Sequence, residues 1–186
     1  MNKNFEKGLS LIEASMVLAL SAIVVASVMY YYTSAAENNT NQNTIALIET
    51  IVSKVNALYA NQSTTQGLNT RMIAKQIPGV KTLVDRGGFY ILIPGRGAGN
   101  IQVRPTINNT YVIDFSNDDS SVSLDEIYSQ CMLLTGGRFG SSFIGYKNSY
   151  TSGDMQNDQS ISARSSFCKK QGAGHTGSNI SLFFRT

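Results

Sequence analysis

One carboxylate, Glu13, sits inside an apolar run that opens at Leu9 and closes at Tyr32, and no other charged residue interrupts that run. Its length is sufficient to cross a hydrocarbon core of about 30 Å, which takes around 20 residues in a helix. An ionised side chain in such a segment costs roughly 2.5–3.5 kcal/mol or more, so Glu13 is functional by default and calls for a cationic partner. The run contains no Lys or Arg, which directs the search to a chain terminus or to another molecule. Lys3 and Lys7 precede the run and the first charge after it is Glu37. The positive-inside rule therefore keeps the leader in the cytoplasm and sends everything after Tyr32 to the far side. Ala14, Ser15, Ala19, Ser21, Ala22, Ala26 and Ser27 make the run rich in small residues. Such residues let helices approach closely in lipid or in a bundle, a property that a generic membrane anchor shares.

Gly8-Leu9-Ser10-Leu11-Ile12-Glu13 resembles the prepilin processing motif: Gly, an apolar residue, three more residues, then Glu. The resemblance implies that a prepilin peptidase cuts between Gly8 and Leu9 and N-methylates Leu9, and that Glu13 becomes the fifth residue of the mature chain. It implies that Glu13 neutralises the amino terminus of a neighbouring subunit during assembly, which supplies the missing cation. Leu9 as first mature residue, together with Met16-Val-Leu-Ala-Leu20, resembles the type IVb pilins and their bundle-forming branch. The close resemblance is confined to the first third of the chain. A secretory signal is the contrasting reading, with Ser34-Ala35-Ala36 as its small-residue cleavage site. Such a signal has an apolar core of about 7–15 residues, shorter than this run, and gains nothing from a carboxylate near its start.

No Gly or Pro occurs from Leu9 to Gln66, so nothing forces a break in a helix before Gly67, where it is expected to end. Ser34 to Thr44 is polar and Asn-rich, with poor helix propensity, and is expected to be a weak or partly melted stretch. From Ile45 the pattern is amphipathic: Ile45, Ile48, Ile51, Val52, Val55, Leu58 and Tyr59 recur at three- and four-residue spacing, with Glu49, Lys54 and Asn56 facing out. Asn61 to Thr186 reads as one domain. Thr70 is expected to cap a short helix over Arg71 to Gln76, stopped by Pro78-Gly79. Residues 89–93, 101–104, 110–115 and 179–184 are strand candidates, rich in β-branched and aromatic residues. Ser123-Leu-Asp-Glu126 is a capping box. It opens a helix expected to carry Leu124, Ile127, Tyr128, Cys131 and Leu134 on one face, closed by Gly136-Gly137. The fold class is α+β, with a long N-terminal helix packed through its second half on an antiparallel sheet, as in type IV pilins. The expected division is a leader (1–8), a transmembrane and filament-core half-helix (9–32), an amphipathic half-helix (33–60) and a globular head (61–186).

Cys131 and Cys168 are the two cysteines of the chain. The domain that holds them is expected outside the cytoplasm, where disulfides persist. Pilins carry a disulfide near the carboxyl end that bounds a variable surface segment, and this pair resembles it, delimiting residues 131–168. A metal pair or a redox motif fits less well, because the spacing is wide and His175 is the only His. Gly95-Arg-Gly-Ala-Gly99 lacks the Gly-Lys-Ser/Thr ending of a phosphate loop and reads as a turn between strands. Asp114, Asp118, Asp119, Asp125 and Glu126 form an acidic cluster without the spacing or central Gly of an EF-hand. A solvated loop and a helix start account for it, since acidic groups complement the helix dipole. No metal or other cofactor is expected.

The net charge is +3, and removal of Lys3, Glu6 and Lys7 with the leader lowers it by one. The basic residues are dispersed, without a Lys/Arg block interleaved with aromatics, so no specific nucleic-acid partner is expected. Charges of this kind suit contacts between subunits of a helical polymer. No nucleophile, base and orienting group share a catalytic spacing, so no catalytic residue is assigned and the chain is read as the substrate of an enzyme. The resemblance implies a structural subunit, held in the bacterial inner membrane as a single-pass precursor and then polymerised into an extracellular filament for adhesion or aggregation. The partners it implies are other copies of the chain, the prepilin peptidase, the inner-membrane assembly machinery and an outer-membrane secretin. A minor pilin or a secretion pseudopilin shares the same N-terminal motif and stays open at this point.

Overall fold

The computed structural model describes residues 11–85, 88–95, 99–117, 122–136, 139–149, 154–172 and 178–186. The chain divides into two compact units, residues 1–38 and residues 39–186. Helix α1 (Leu11–Tyr59) contributes to both. The rest of the second unit comprises α2 (Thr70–Lys75), β1 (Lys81–Asp85), β2 (Gly88–Leu92), β3 (Asn100–Pro105), β4 (Thr110–Asn117), α3 (Leu124–Leu134), β5 (Phe143–Asn148), α4 (Ile161–Gly172) and β6 (Ser178–Arg185).

The six strands form one antiparallel sheet in the order β1-β2-β3-β4-β6-β5. Alternation places every second side chain on the same face, and the register aligns the apolar ones into rows. One row runs Ile91, Ile101, Phe115 and Ile180 across β2, β3, β4 and β6. The next runs Val103, Ile113, Leu182 and Tyr146 across β3, β4, β6 and β5. These rows form the hydrophobic core together with Ile48, Ile51, Val52, Val55 and Tyr59 of α1. The α+β class and the sheet packed on the second half of the long helix are therefore as expected.

The long helix departs from expectation at two places. Residues 34–44 are helical, not melted. Thr40 and Thr44 are buried and extend the apolar stripe toward the N-terminus at four-residue spacing. The Thr44 hydroxyl donates to the Thr40 carbonyl at 2.8 Å, so burial leaves it satisfied. Tertiary packing here outweighs weak propensity. At the other end α1 stops at Tyr59, ahead of Gly67, where Asn61-Gln-Ser-Thr-Thr65 offers side chains that compete for backbone hydrogen bonds. Leu58, expected in the stripe, is 40% exposed, while Asn56, expected outside, accepts a hydrogen bond from the buried Tyr111 hydroxyl at 3.3 Å.

The cap of α2 is Asn69, not Thr70: the Asn69 Oδ1 accepts from the Met72 amide at 2.9 Å. Thr70 instead turns its hydroxyl to β3, accepting from the Val103 amide and donating to the Val103 carbonyl. The β3–β4 hairpin turns through Asn108-Asn109, both with positive φ, a region that Asn enters more readily than most residues. The Ser123 Oγ accepts from the Glu126 amide, as the capping box predicts. Ile127, Cys131 and Leu134 of α3 are buried, but Leu124, in the first turn, is 64% exposed. The expected strands 89–93, 101–104, 110–115 and 179–184 correspond to β2, β3, β4 and β6.

Candidate assembly surface

From Leu11 to Tyr32, α1 is apolar on every side apart from Glu13 and a few hydroxyl residues. Leu11, Leu18, Leu20, Ile23, Val24 and Met29 are all more than half exposed, as are the other large apolar side chains between them except Val28. A helix hydrophobic all round belongs in a protein core or in a membrane. The described residues contain one helix long and apolar enough to span a bilayer, and it is this one. Its hydroxyl residues turn inward on their own backbone. Ser15 donates to the Ile12 carbonyl, Ser21 to Val17, Ser27 to Ile23 and Thr33 to Met29. Each of these hydroxyl hydrogens is thus satisfied within the helix, which lowers the cost of placing the residue in an apolar environment. Tyr30, Tyr31 and Tyr32 close the run, each at least 70% exposed. Such rings favour the boundary between hydrocarbon and water, a meaning that the apolar-run argument did not draw from them. Glu13 lies in the first turn of α1 and is exposed. Gly8 and Leu9 lie outside the described residues.

The second unit buries its own core and staples its carboxyl half. The Cys131–Cys168 disulfide links α3 to α4, closing a sequence separation of 37 residues. Around it, Arg164 donates to the Met132 carbonyl and, at 3.4 Å, to the Thr135 hydroxyl, so a cation covers the last turn of α3. Tyr128 donates to Ser165 at 3.0 Å, and the Tyr146 and Phe167 rings pack edge to face at 4.9 Å. Burial raises the Tyr146 phenol above its ordinary range; Arg164 opposes that shift and Asp158 adds to it. The bounded segment, residues 131–168, holds all of β5 and much of α4. Gly145 in β5 allows the Gln156 backbone to approach where a Cβ would collide, and Tyr146 and Gln156 exchange two backbone hydrogen bonds.

The outer face of the sheet carries a polar network beside apolar residues such as Val112 and Phe183. Asp114 accepts from Arg104 Nε at 2.7 Å and from Ser181 Oγ at 2.5 Å. Of the acidic residues, Asp114 is committed to this network, Asp125 and Glu126 lie in the first turn of α3 as a helix start would have them, and Asp118 and Asp119 are outside the described residues. No group of three or more potential metal-ligating side chains occurs among the described residues. The glycine-rich stretch links β2 to β3. Gly95 has φ of +133° where the chain passes α1, and a Cβ would lie 2.5 Å from the Thr40 hydroxyl. Residues 96–98 are outside the described set.

A helix that is apolar and exposed at its start, buried against an antiparallel sheet at its end, in a chain with a disulfide toward the carboxyl terminus, is the arrangement of a type IV pilin. Residues 33–185 match the family model described as Bundlin. The major structural subunits of bundle-forming pilus from Escherichia coli O127:H6 and O111:H- are each 41% identical over 110 residues, which is 59% of this chain and 56% of theirs. The match thus spans a little over half the length of these relatives. No solved structure matches. The chain belongs to the bundlin family.

Proposed function

We propose that the chain is the structural subunit of a pilus filament. The observation that carries this reading is the exposed, all-round apolar start of α1 in a chain whose second unit, residues 39–186, buries a core of its own. Such a helix needs lipid or other helices around it. A subunit held in the inner membrane and then transferred to the centre of a filament meets both in turn. In that sequence of events the leader is cut between Gly8 and Leu9, Leu9 is N-methylated, and Glu13 receives the amino terminus of a neighbouring subunit. The pairing sets axial register, because a charge left without its counter-ion in an apolar filament core is disfavoured. Residues 9–32 then form the filament core, residues 33–60 join it to the head, and residues 61–186 form the surface. The role is structural and not catalytic, and the final location is extracellular. The names of the relatives support the same reading.

The test is to shear surface appendages from the native cells, pellet them and identify the subunits by mass spectrometry. This chain is expected as the dominant protein of filaments visible by electron microscopy. Filaments that lack it, or contain it only in trace amounts, would overturn the assignment as their structural subunit.

A further inference from the structure

Strand β1 ends the sheet, with β2 as its one neighbour in the strand order. All five of its residues are exposed, including Leu83 at 44% and Val84 at 66%. The other end of the sheet differs, because the outer side of β5 carries the Tyr146–Gln156 bridge. Among the described residues no strand lies beyond β1; such an edge presents backbone donors and acceptors to an extended chain, and proteins usually guard it with charge. Here the charges are arranged as a palindrome: Lys81-Thr82-Leu83-Val84-Asp85.

That pattern selects one partner and one register. In an antiparallel pair centred on Leu83, Lys81 faces Asp85 of a second copy and Asp85 faces its Lys81. Leu83 meets Leu83, and Thr82 meets Val84. Sliding the pair by two residues in either direction loses both charge matches. Parallel pairing in register sets Lys81 against Lys81 and Asp85 against Asp85, and like charges directly opposite are unfavourable. Lys81, Leu83 and Asp85 share one face by alternation, so the two ion pairs flank the Leu83 contact on a single surface. We infer that β1 is a self-recognition edge, along which a second copy of this chain docks antiparallel with a two-fold axis at Leu83. The pairing needs only two heads and stands apart from the filament reading. Its extension, that subunits of adjacent filaments join side by side through β1, rests on that reading.

Cysteine cross-linking of the full chain in detergent micelles tests the pairing without requiring filaments. Across a two-fold antiparallel axis, Leu83→Cys sits directly opposite itself. Val84→Cys lies diagonal to its copy at about 7–8 Å between Cα atoms, beyond easy disulfide reach. With copper–phenanthroline as oxidant, Leu83→Cys is expected to give a reducible dimer, about tenfold faster than Val84→Cys. Adding Lys81→Asp to Leu83→Cys is expected to slow the dimer several-fold, and adding Asp85→Lys as well is expected to restore it. Restoration by the double swap separates recognition from damage to the fold. Equal rates for the two cysteines, no dimer from Leu83→Cys, or indifference to the charge changes would each overturn the proposal. The width of lateral filament bundles in the charge variants then tests the extension alone.

Discussion

Ile23 and Ile51 lie on the same helix, yet Ile23 is 64% exposed and Ile51 is fully buried. The difference lies in the company each keeps. Around Ile51 the apolar residues form a stripe, with Glu49 and Lys54 on the outside, and the stripe is covered by Ile101, Ile113 and the other core residues of the head. Around Ile23 every face is apolar, so no single surface of one domain could cover it. The head is therefore a folding unit in the ordinary sense, while the start of α1 is an element whose solvent must come from outside the chain. On the proposed function, assembly and stability rest on different residues, and substitutions should separate them.

The largest expected effect is on assembly. Glu13→Ala should leave the protein processed and the head folded but strip the cells of pili, as counted by electron microscopy. Normal piliation would remove the register role. Next comes the disulfide. Cys168→Ser should destabilise the head by about 4 kcal/mol in the chain-entropy model for a loop of this length, measured by urea unfolding of the full chain in detergent. A midpoint unchanged in reductant would place the stability elsewhere. The paired substitutions Ile51→Ala and Ile23→Ala sharpen the comparison directly. The first should cost on the order of 3 kcal/mol, and the second should leave head stability unchanged within about 0.5 kcal/mol. Comparable losses would mean that the two regions do not stabilise independently. Ser123→Ala should cost about 1 kcal/mol through the lost α3 cap, read in the same assay.

The smallest effect is one of pH. Burial holds the Tyr111 phenol above its ordinary value, and Tyr59 and Tyr146 shift in the same direction. The folded state therefore favours the neutral phenol. Its contribution is complete below the unfolded-state pKa of about 10 and is lost as pH rises beyond it. Head stability should fall on the alkaline side of that value. Tyr111→Phe should flatten the fall while giving up the weak hydrogen bond to Asn56. An identical alkaline slope in the variant would exclude Tyr111 as a source.

Much of this architecture was legible because period and chemistry agreed. The stripe from Ile48 to Tyr59, the central strands and the Ser123 cap each follow from local rules. The missed elements share a different cause. Lys81–Asp85 is short and exposed on both faces, so it has no alternation to detect, and its hairpin with β2 makes it a strand. Phe143–Asn148 carries Gly145 at its centre, where backbone packing against Gln156 excludes a side chain. Helix α4 is Ser-rich with few apolar residues, and it is held by Cys168, Phe167 and Arg164, contacts that no sequence window contains. Thr40 and Thr44 look like a solvated stretch until the head covers them. Glu13 was legible for the opposite reason: it is the one charged residue in an otherwise apolar run.

The central claim is that this carboxylate and the apolar helix around it serve assembly after processing. The most direct measurement is the intact mass and amino-terminal sequence of the protein purified from its native membranes. A chain that begins at N-methylated Leu9 is the predicted result. A start near Ala36 or Glu37 would mean that the apolar run had been removed as a signal peptide, and it would contradict the account.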